Sequence, residues 1–261
     1  MQSINYHLSS NQAEKPYLAL LHGLFGSLDN LSMVRKALED SHNVLSIDLP
    51  DHGKSAFTDA FSFTSYANKI VQLIASVNIT KVSILGHSLG GKIAMKTALD
   101  NPQLIDKLVI ADIAPVSYTP RHQNVFKALN AVDLKSITSR GDADAVMSEY
   151  LKEPGVSQFL LKSLKQVDGN WRWDFNLQLL QRDYPAISKG ISSDNVCSVP
   201  VLFIKGGQSD YILPEHKSAI SALFPNSSAK VIGSAGHWLH AQKPVIFNRL
   251  VSDFLQNDTC G

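Results

Sequence analysis

The sequence predicts an α/β fold with a mostly parallel central sheet, and three observations lead there. Short β-rich runs alternate with helical patterns through the first 114 residues and again after residue 192. Several of these runs are apolar at every position, the pattern of strands covered on both faces. Most of these runs stop abruptly at a glycine, histidine or aspartate, so the chemically useful residues collect at strand ends.

The first strand is YLALL, Tyr17–Leu21, ending at His22-Gly23. Residues 30–39 carry Leu31, Val34 and Leu38 at helical spacing. A strand at 44–47 ends at Asp48 and a turn through Pro50 and Gly53, and Tyr66, Ile70, Leu73, Ile74 and Val77 then keep a helical period. The strand at 82–85 breaks at Gly86-His87-Ser88-Leu89-Gly90-Gly91. A helix over about 89–99 follows and stops before Pro102, and a strand at 108–111 ends at Asp112. From 115 to 191 only helical segments are expected, at 124–132, 143–151, 156–164 and 176–181. An all-helical stretch inserted into an alternating chain reads as a cap over one end of the sheet. The alternation resumes with a strand at 201–204, a helix near 214–223, a strand at 229–232 and a last helix over about 244–255. The expected organisation is a core of residues 1–114 and 192–261 with a helical cap at 115–191.

With 44% hydrophobic residues the chain can bury a large core. Lys plus Arg number 24 against 23 Asp plus Glu, a balance with no electrostatic footprint for nucleic acid or an anionic membrane. MQSINYHLSSNQ lacks the basic and apolar regions of a secretory signal, and no apolar run reaches the ~20 residues of a membrane span. Cys197 and Cys260 are far apart and read as free thiols in a reducing cytoplasm.

The chemistry centres on Ser88. Gly86-x-Ser88-x-Gly90 is weak alone, but here it follows a buried strand and opens a helix, the setting of a nucleophile elbow. A serine hydroxyl needs a base, and in such folds the base comes late, after the last strand. His237, in Ser-Ala-Gly-His-Trp, stands there; His240 reads as a bystander facing the last helix and His87 as pointing away from Ser88. For the acid that orients the imidazole, Asp210 and Asp112 each follow a core strand, and position alone leaves both open. Oxyanion donors are expected from the N–H of Leu89, at the helix start, and of Leu24 in the His22-Gly23-Leu24 loop. His22 itself reads as a scaffold residue.

HGLFGS, Asp48 to Ser55, GHSLGGK, DIAPVSY and GHWLH together resemble the α/β-hydrolase superfamily, and more closely the bacterial YbfF-type esterases. The likeness runs over nearly the whole chain, including QFLLKSL and WRWDFN. It implies an esterase acting on acyl esters and acyl-CoA thioesters, with Ser88 as nucleophile, His237 as base and Asp112, in DIAP, as acid, Asp210 remaining the alternative. Asp51 departs from the superfamily, many of whose members carry glycine there.

No metal or organic cofactor is required by this set. Phe25, Tyr118 and Trp238, with Leu89 and Phe126, are candidates for an apolar acyl wall; Trp171 and Trp173 read as packing. Arg121, Lys127 and Lys162 are candidates for holding the phosphates of a CoA substrate. The expected partner is a small-molecule ester or thioester, bound by a monomer or small homo-oligomer, with no nucleic acid and no membrane. Rival readings are another reaction on the same residues (carbon–carbon hydrolysis, perhydrolysis, a lyase-type synthase step) or a non-catalytic ligand receptor on the same fold.

Overall fold

The computed structural model describes residues 3–256. Seven strands form one sheet in the order β1-β3-β2-β4-β5-β8-β9, from β1 (Tyr6–Leu8), β2 (Tyr17–Leu21), β3 (Asn43–Ile47), β4 (Val82–His87), β5 (Ile105–Ala111), β8 (Val201–Gly206) and β9 (Ser227–Ile232). β1 runs antiparallel to β3, and every other pairing is parallel. The α/β class is therefore as the sequence predicts. β1 is an addition: its three residues, mostly exposed, present no apolar run to read.

Strand side chains alternate between two apolar layers, which is why the strands are hydrophobic at every position. Leu18, Leu20, Val44, Leu85 and Val109 face one layer, covered by α1 (Ser32–Leu38) and α11 (Pro244–Gln256). Ala19, Leu21, Leu45, Ile84 and Ile110 face the other, covered by α2 (Phe63–Ser76) and α3 (Leu89–Asp100). Helix α3 lies hard against the sheet where it starts. A Cβ on Gly90 would sit 2.3 Å from the carbonyl oxygen of Leu21, so only glycine fits.

The chain between β5 and β8 carries α4 (Gln123–Ala131), α5 (Arg140–Ser148), α6 (Pro154–Leu161), α7 (Leu177–Arg182) and α8 (Tyr184–Ile187). It also carries a two-stranded antiparallel hairpin, β6 (Leu164–Val167) and β7 (Asn170–Trp173). The expectation of an all-helical insertion is corrected here. Asp168 and Gly169 take φ of 49° and 80°, the left-handed pair that a tight hairpin needs and that Asp-Gly supplies cheaply. Trp173 is buried and stacks on Phe175 with ring centroids 5.6 Å apart, and Trp171 lies under Arg140; both are packing residues.

Asp51 pins this insertion to the core. It takes φ 65°, which explains why glycine suits the position. Its buried carboxylate accepts hydrogen bonds from Tyr66 Oη, the Thr58 amide and hydroxyl, and Asn176 Nδ2. The remaining helices, α9 (Lys217–Leu223) and α10 (Leu239–Gln242), flank the last strand. Among the described residues no helix is long and apolar enough to cross a membrane. Cys197 is buried with its thiol pushed up by desolvation; Cys260 lies outside the described residues.

Candidate active site

Parallel strands bring their carboxyl ends to one edge, and the residues just past β4, β5 and β9 converge there. Ser88 follows β4 with φ 53° and ψ −118°, a strained turn that lifts its side chain off the strand end and starts α3 at the next residue. Asp112 follows β5 with φ 52° and is fully buried. His237 arrives on the loop after β9, its ring stacked on Tyr211 with centroids 3.9 Å apart and planes at 19°.

The three side chains form one hydrogen-bonded line. His237 Nε2 is 2.9 Å from Ser88 Oγ, and His237 Nδ1 is 2.8 Å from Asp112 Oδ2. An ionised Asp112 only accepts, so Nδ1 carries the ring proton and Nε2 is left to accept from the Ser88 hydroxyl. Asp112 takes two further donors, the Gly206 amide at 2.9 Å on Oδ1 and the Ser209 hydroxyl on Oδ2. A buried carboxylate held by several donors stays fixed in place.

Asp210 is placed differently. Its carboxylate is 68% exposed and pairs with Arg121 Nη1 at 2.5 Å, not with His237. Arg121 also lies over the Tyr118 and Tyr211 rings, at 5.5 and 4.9 Å.

His87 is closer to the site than its place in the elbow suggests. Its Nε2–H donates to the carbonyl of His237 at 2.8 Å, tying the elbow to the loop that carries His237. Burial, then the neighbouring imidazoles, hold its pKa well below the ordinary histidine value, so it is a neutral brace. His240 sits edge-on to His87 and to Phe247 of the last helix; burial, then His237 and Lys162, lower it to about 3. His22 is likewise structural. Its Nδ1 donates to the Gly23 carbonyl at 2.8 Å and its Nε2 accepts the Leu49 amide at 3.0 Å, while burial and His52 bring it down to about 3.

The His22-Gly23-Leu24 loop presses against the elbow. A Cβ on Gly23 would lie 3.3 Å from Ser88 Cβ, and Phe25 turns the chain at φ 63° directly after Leu24. Leu24 and Leu89 both border the space beside Ser88. As the first residue of α3, Leu89 has an N–H with no carbonyl a turn behind it.

That space has two lobes. The larger, about 270 Å³, is bordered by Phe25, His122, Val125, Phe159, His237 and Trp238. The smaller, about 40 Å³, is bordered by Leu89, Lys92, Ile113, Tyr118 and Ile187. Ser88, Leu24, Arg121 and Tyr211 belong to both. Phe126 is not a wall: it packs behind Phe25, with ring centroids 5.4 Å apart. Nor does the structure gather the three expected cations. Arg121 borders the space, whereas Lys127 and Lys162 line separate surface grooves. Among the described residues, no three His, Cys, Asp or Glu are grouped to hold a metal ion.

A family model described as the alpha/beta hydrolase fold matches residues 16–244. The chain belongs to this family. Among curated relatives of this hydrolase, Esterase YbfF of Escherichia coli strain K12 is 39% identical over 256 residues, covering 98% of this chain and 99% of its own length. The sn-1-specific diacylglycerol lipase ABHD11 of Mus musculus is 35% identical over 260 residues, covering 97% of this chain and 85% of its own. A solved structure described as a marine microorganism esterase superposes with a TM-score of 0.94 at 34% identity, covering 97% of this hydrolase and all, 100%, of that chain.

Ser209 and Tyr211 are residues of the site that the sequence motifs do not single out, whereas His87 stands in the elbow motif and reads there only as pointing away from Ser88. Ser209 left no signal of its own, a loop hydroxyl beside Asp210 with neither motif nor period to mark it.

Proposed function

We propose that the protein is a serine carboxylic ester hydrolase working through an acyl-enzyme on Ser88, with His237 as base and Asp112 as the orienting acid. The observation that carries this reading is the unbroken line of hydrogen bonds from Ser88 Oγ through both nitrogens of His237 to the buried Asp112. The esterase and lipase relatives over nearly the full chain support the reaction class. Asp210 is assigned no catalytic role, because its carboxylate faces Arg121 and solvent.

In the proposed cycle, Ser88 Oγ attacks the ester carbonyl carbon while His237 Nε2 takes the hydroxyl proton. The Leu24 and Leu89 amides hold the resulting oxyanion; a lost donor of this kind costs roughly 3–4 kcal/mol of barrier. The carbon–oxygen bond to the leaving group, or carbon–sulfur in a thioester, then breaks, and that atom takes the proton from His237. Water enters, gives a proton to His237 and adds to the acyl carbon; collapse frees the carboxylic acid and returns the proton to Ser88.

The insertion between β5 and β8 acts as a cap, its residues at 115–191 supplying one wall of the cavity. The substrate is a small ester, with thioesters such as acyl-CoA within reach of the same chemistry. The proposal includes a cytoplasmic location, which suits two widely separated cysteines, and a monomer or small homo-oligomer.

A fluorophosphonate probe combined with a panel of neutral 4-nitrophenyl esters tests this. The expected result is one covalent label at Ser88 and turnover that the label abolishes. Turnover persisting after complete labelling would refute the assignment.

A further inference from the structure

The two lobes beside Ser88 are unequal in what faces them, and this inference rests on the ester-hydrolase reading above. His237 borders the larger lobe and not the smaller. A leaving atom must receive its proton from His237, so the leaving group belongs in the larger lobe and the acyl group in the smaller. At about 40 Å³ against about 270 Å³, the smaller lobe is by far the tighter of the two, so it suits a short acyl group.

One buried side chain on the border of that lobe also reaches toward a second space. Lys92 lies one helical turn past Ser88 on α3 and is 2% exposed. Its ammonium donates to the carbonyl of Ser188 at 3.3 Å and to that of Lys189. It sits 4.9 Å from the Tyr118 ring centroid and 5.6 Å from that of Phe63. Tyr118 and Ser188 border the small lobe, whereas Phe63 and Lys189 border a separate groove of about 290 Å³ that opens on the surface. Lys92 therefore stands between an acyl-sized lobe and a much larger space.

Lysine suits the position for two reasons. Its carbon stem fills the gap, and its amine supplies the donors that two inward-facing carbonyls need. Burying an amine is costly, and desolvation brings Lys92 down to about 7. A site concerned only with packing would be filled more cheaply by an apolar residue.

We propose that Lys92 is the stopper that limits acyl length, separating the small lobe from the rear groove, so that shortening it joins the two spaces and admits longer acyl chains.

The test uses two ester series, 4-nitrophenyl esters from acetate to decanoate and acetate esters of alcohols of rising length. Both are measured on the full chain and on Lys92→Ala, Lys92→Met and Ile187→Ala. In the unaltered protein kcat/KM should fall steeply as the acyl chain lengthens. Lys92→Ala should raise the octanoate-to-acetate ratio by about tenfold or more, the scale on which a few methylenes are discriminated in a pocket. Lys92→Met, which keeps most of the stem, should hold the original limit and so separate bulk from charge. Ile187→Ala shortens another side chain bordering the same lobe and should raise the ratio by a smaller factor, with Lys92 in place.

An unchanged ratio in Lys92→Ala, with circular dichroism like that of the unaltered chain, overturns the proposal. If that variant does not fold, an unchanged ratio in Ile187→Ala overturns it instead. A shift in the alcohol series rather than the acyl series contradicts the lobe assignment and the proposal with it. Failure of the ester-hydrolase reading looks different, because the unaltered protein would then turn over neither series.

Discussion

The strand ends that carry Ser88, Asp112 and His237 are built differently from the insertion between β5 and β8. Ser88 and Asp112 each sit at a left-handed φ, costing of order 1–3 kcal/mol apiece, and β4 and β5 beneath them are central strands covered on both faces. The insertion is made of short helices and a largely exposed hairpin. Its apolar side chains, Phe126, Leu160, Phe175 and Ile187 among them, join the same buried cluster as the sheet, and polar contacts such as Asn176 to Asp51, Ser163 to the Phe25 carbonyl and Arg121 to Asp210 add to that packing. Strain is tolerated at the rigid strand ends, whereas the lobes beside Ser88 are bordered by other side chains, from α3 as well as from the insertion. Chemistry and selectivity should therefore be separable by mutation.

The largest effect expected is at the rigid end. Ser88→Ala should lower kcat/KM on a neutral 4-nitrophenyl ester by about 10⁴–10⁶-fold, with the unfolding midpoint unchanged. Next come the two aspartates. Asp112→Asn should cost about 10⁴-fold, because a neutral amide no longer enforces the Nδ1–H tautomer of His237. Asp210→Asn should stay within about threefold, as an exposed ion pair contributes little. Equal losses in both variants, measured on the same ester, would erase the distinction between core and rim.

Much of the core was legible in the sequence because its strands are apolar at every position and mostly stop at glycine, histidine or aspartate. Ser88 and His237 stood out by motif and order. The choice between Asp112 and Asp210 could not be read from spacing alone, since both follow strands. What separates them in space is the left-handed turn at Asp112, which carries its carboxylate inward to Gly206, Ser209 and His237. Ser209 was invisible for a related reason: a hydroxyl on a loop has no periodicity, and its partner is fixed only when β5 and β8 lie side by side. The hairpin did leave a trace in Asp168-Gly169, but its short strands alternate too weakly to outweigh the helical spacing around them. β1 left none.

Smaller effects sharpen the comparison. Ser209→Ala removes one donor to the buried Asp112 carboxylate and should reduce kcat by about tenfold, in line with the ~1.5–3 kcal/mol of a hydrogen bond to a charged group. KM should hold, since Ser209 borders neither lobe.

The mildest test is acid stability. His22 and His240 are lowered from 6.5 to about 3 by burial, so the unfolded chain binds more protons than the folded one between those values. Their contribution is fully present above pH 6.5 and is lost as pH falls toward about 3. Urea midpoints taken from neutral to acid pH should decline through this window. His22→Gln, which no longer has a proton to take up, should flatten the decline.

The most direct test of the central claim is to catch the acyl-enzyme. Rapid mixing with excess 4-nitrophenyl acetate, an acid quench and intact-mass measurement should show a single added acetyl group, mapped by peptide fragmentation to Ser88 and missing from Ser88→Ala. An acetyl group found on another residue, or undiminished turnover by Ser88→Ala, would contradict the account.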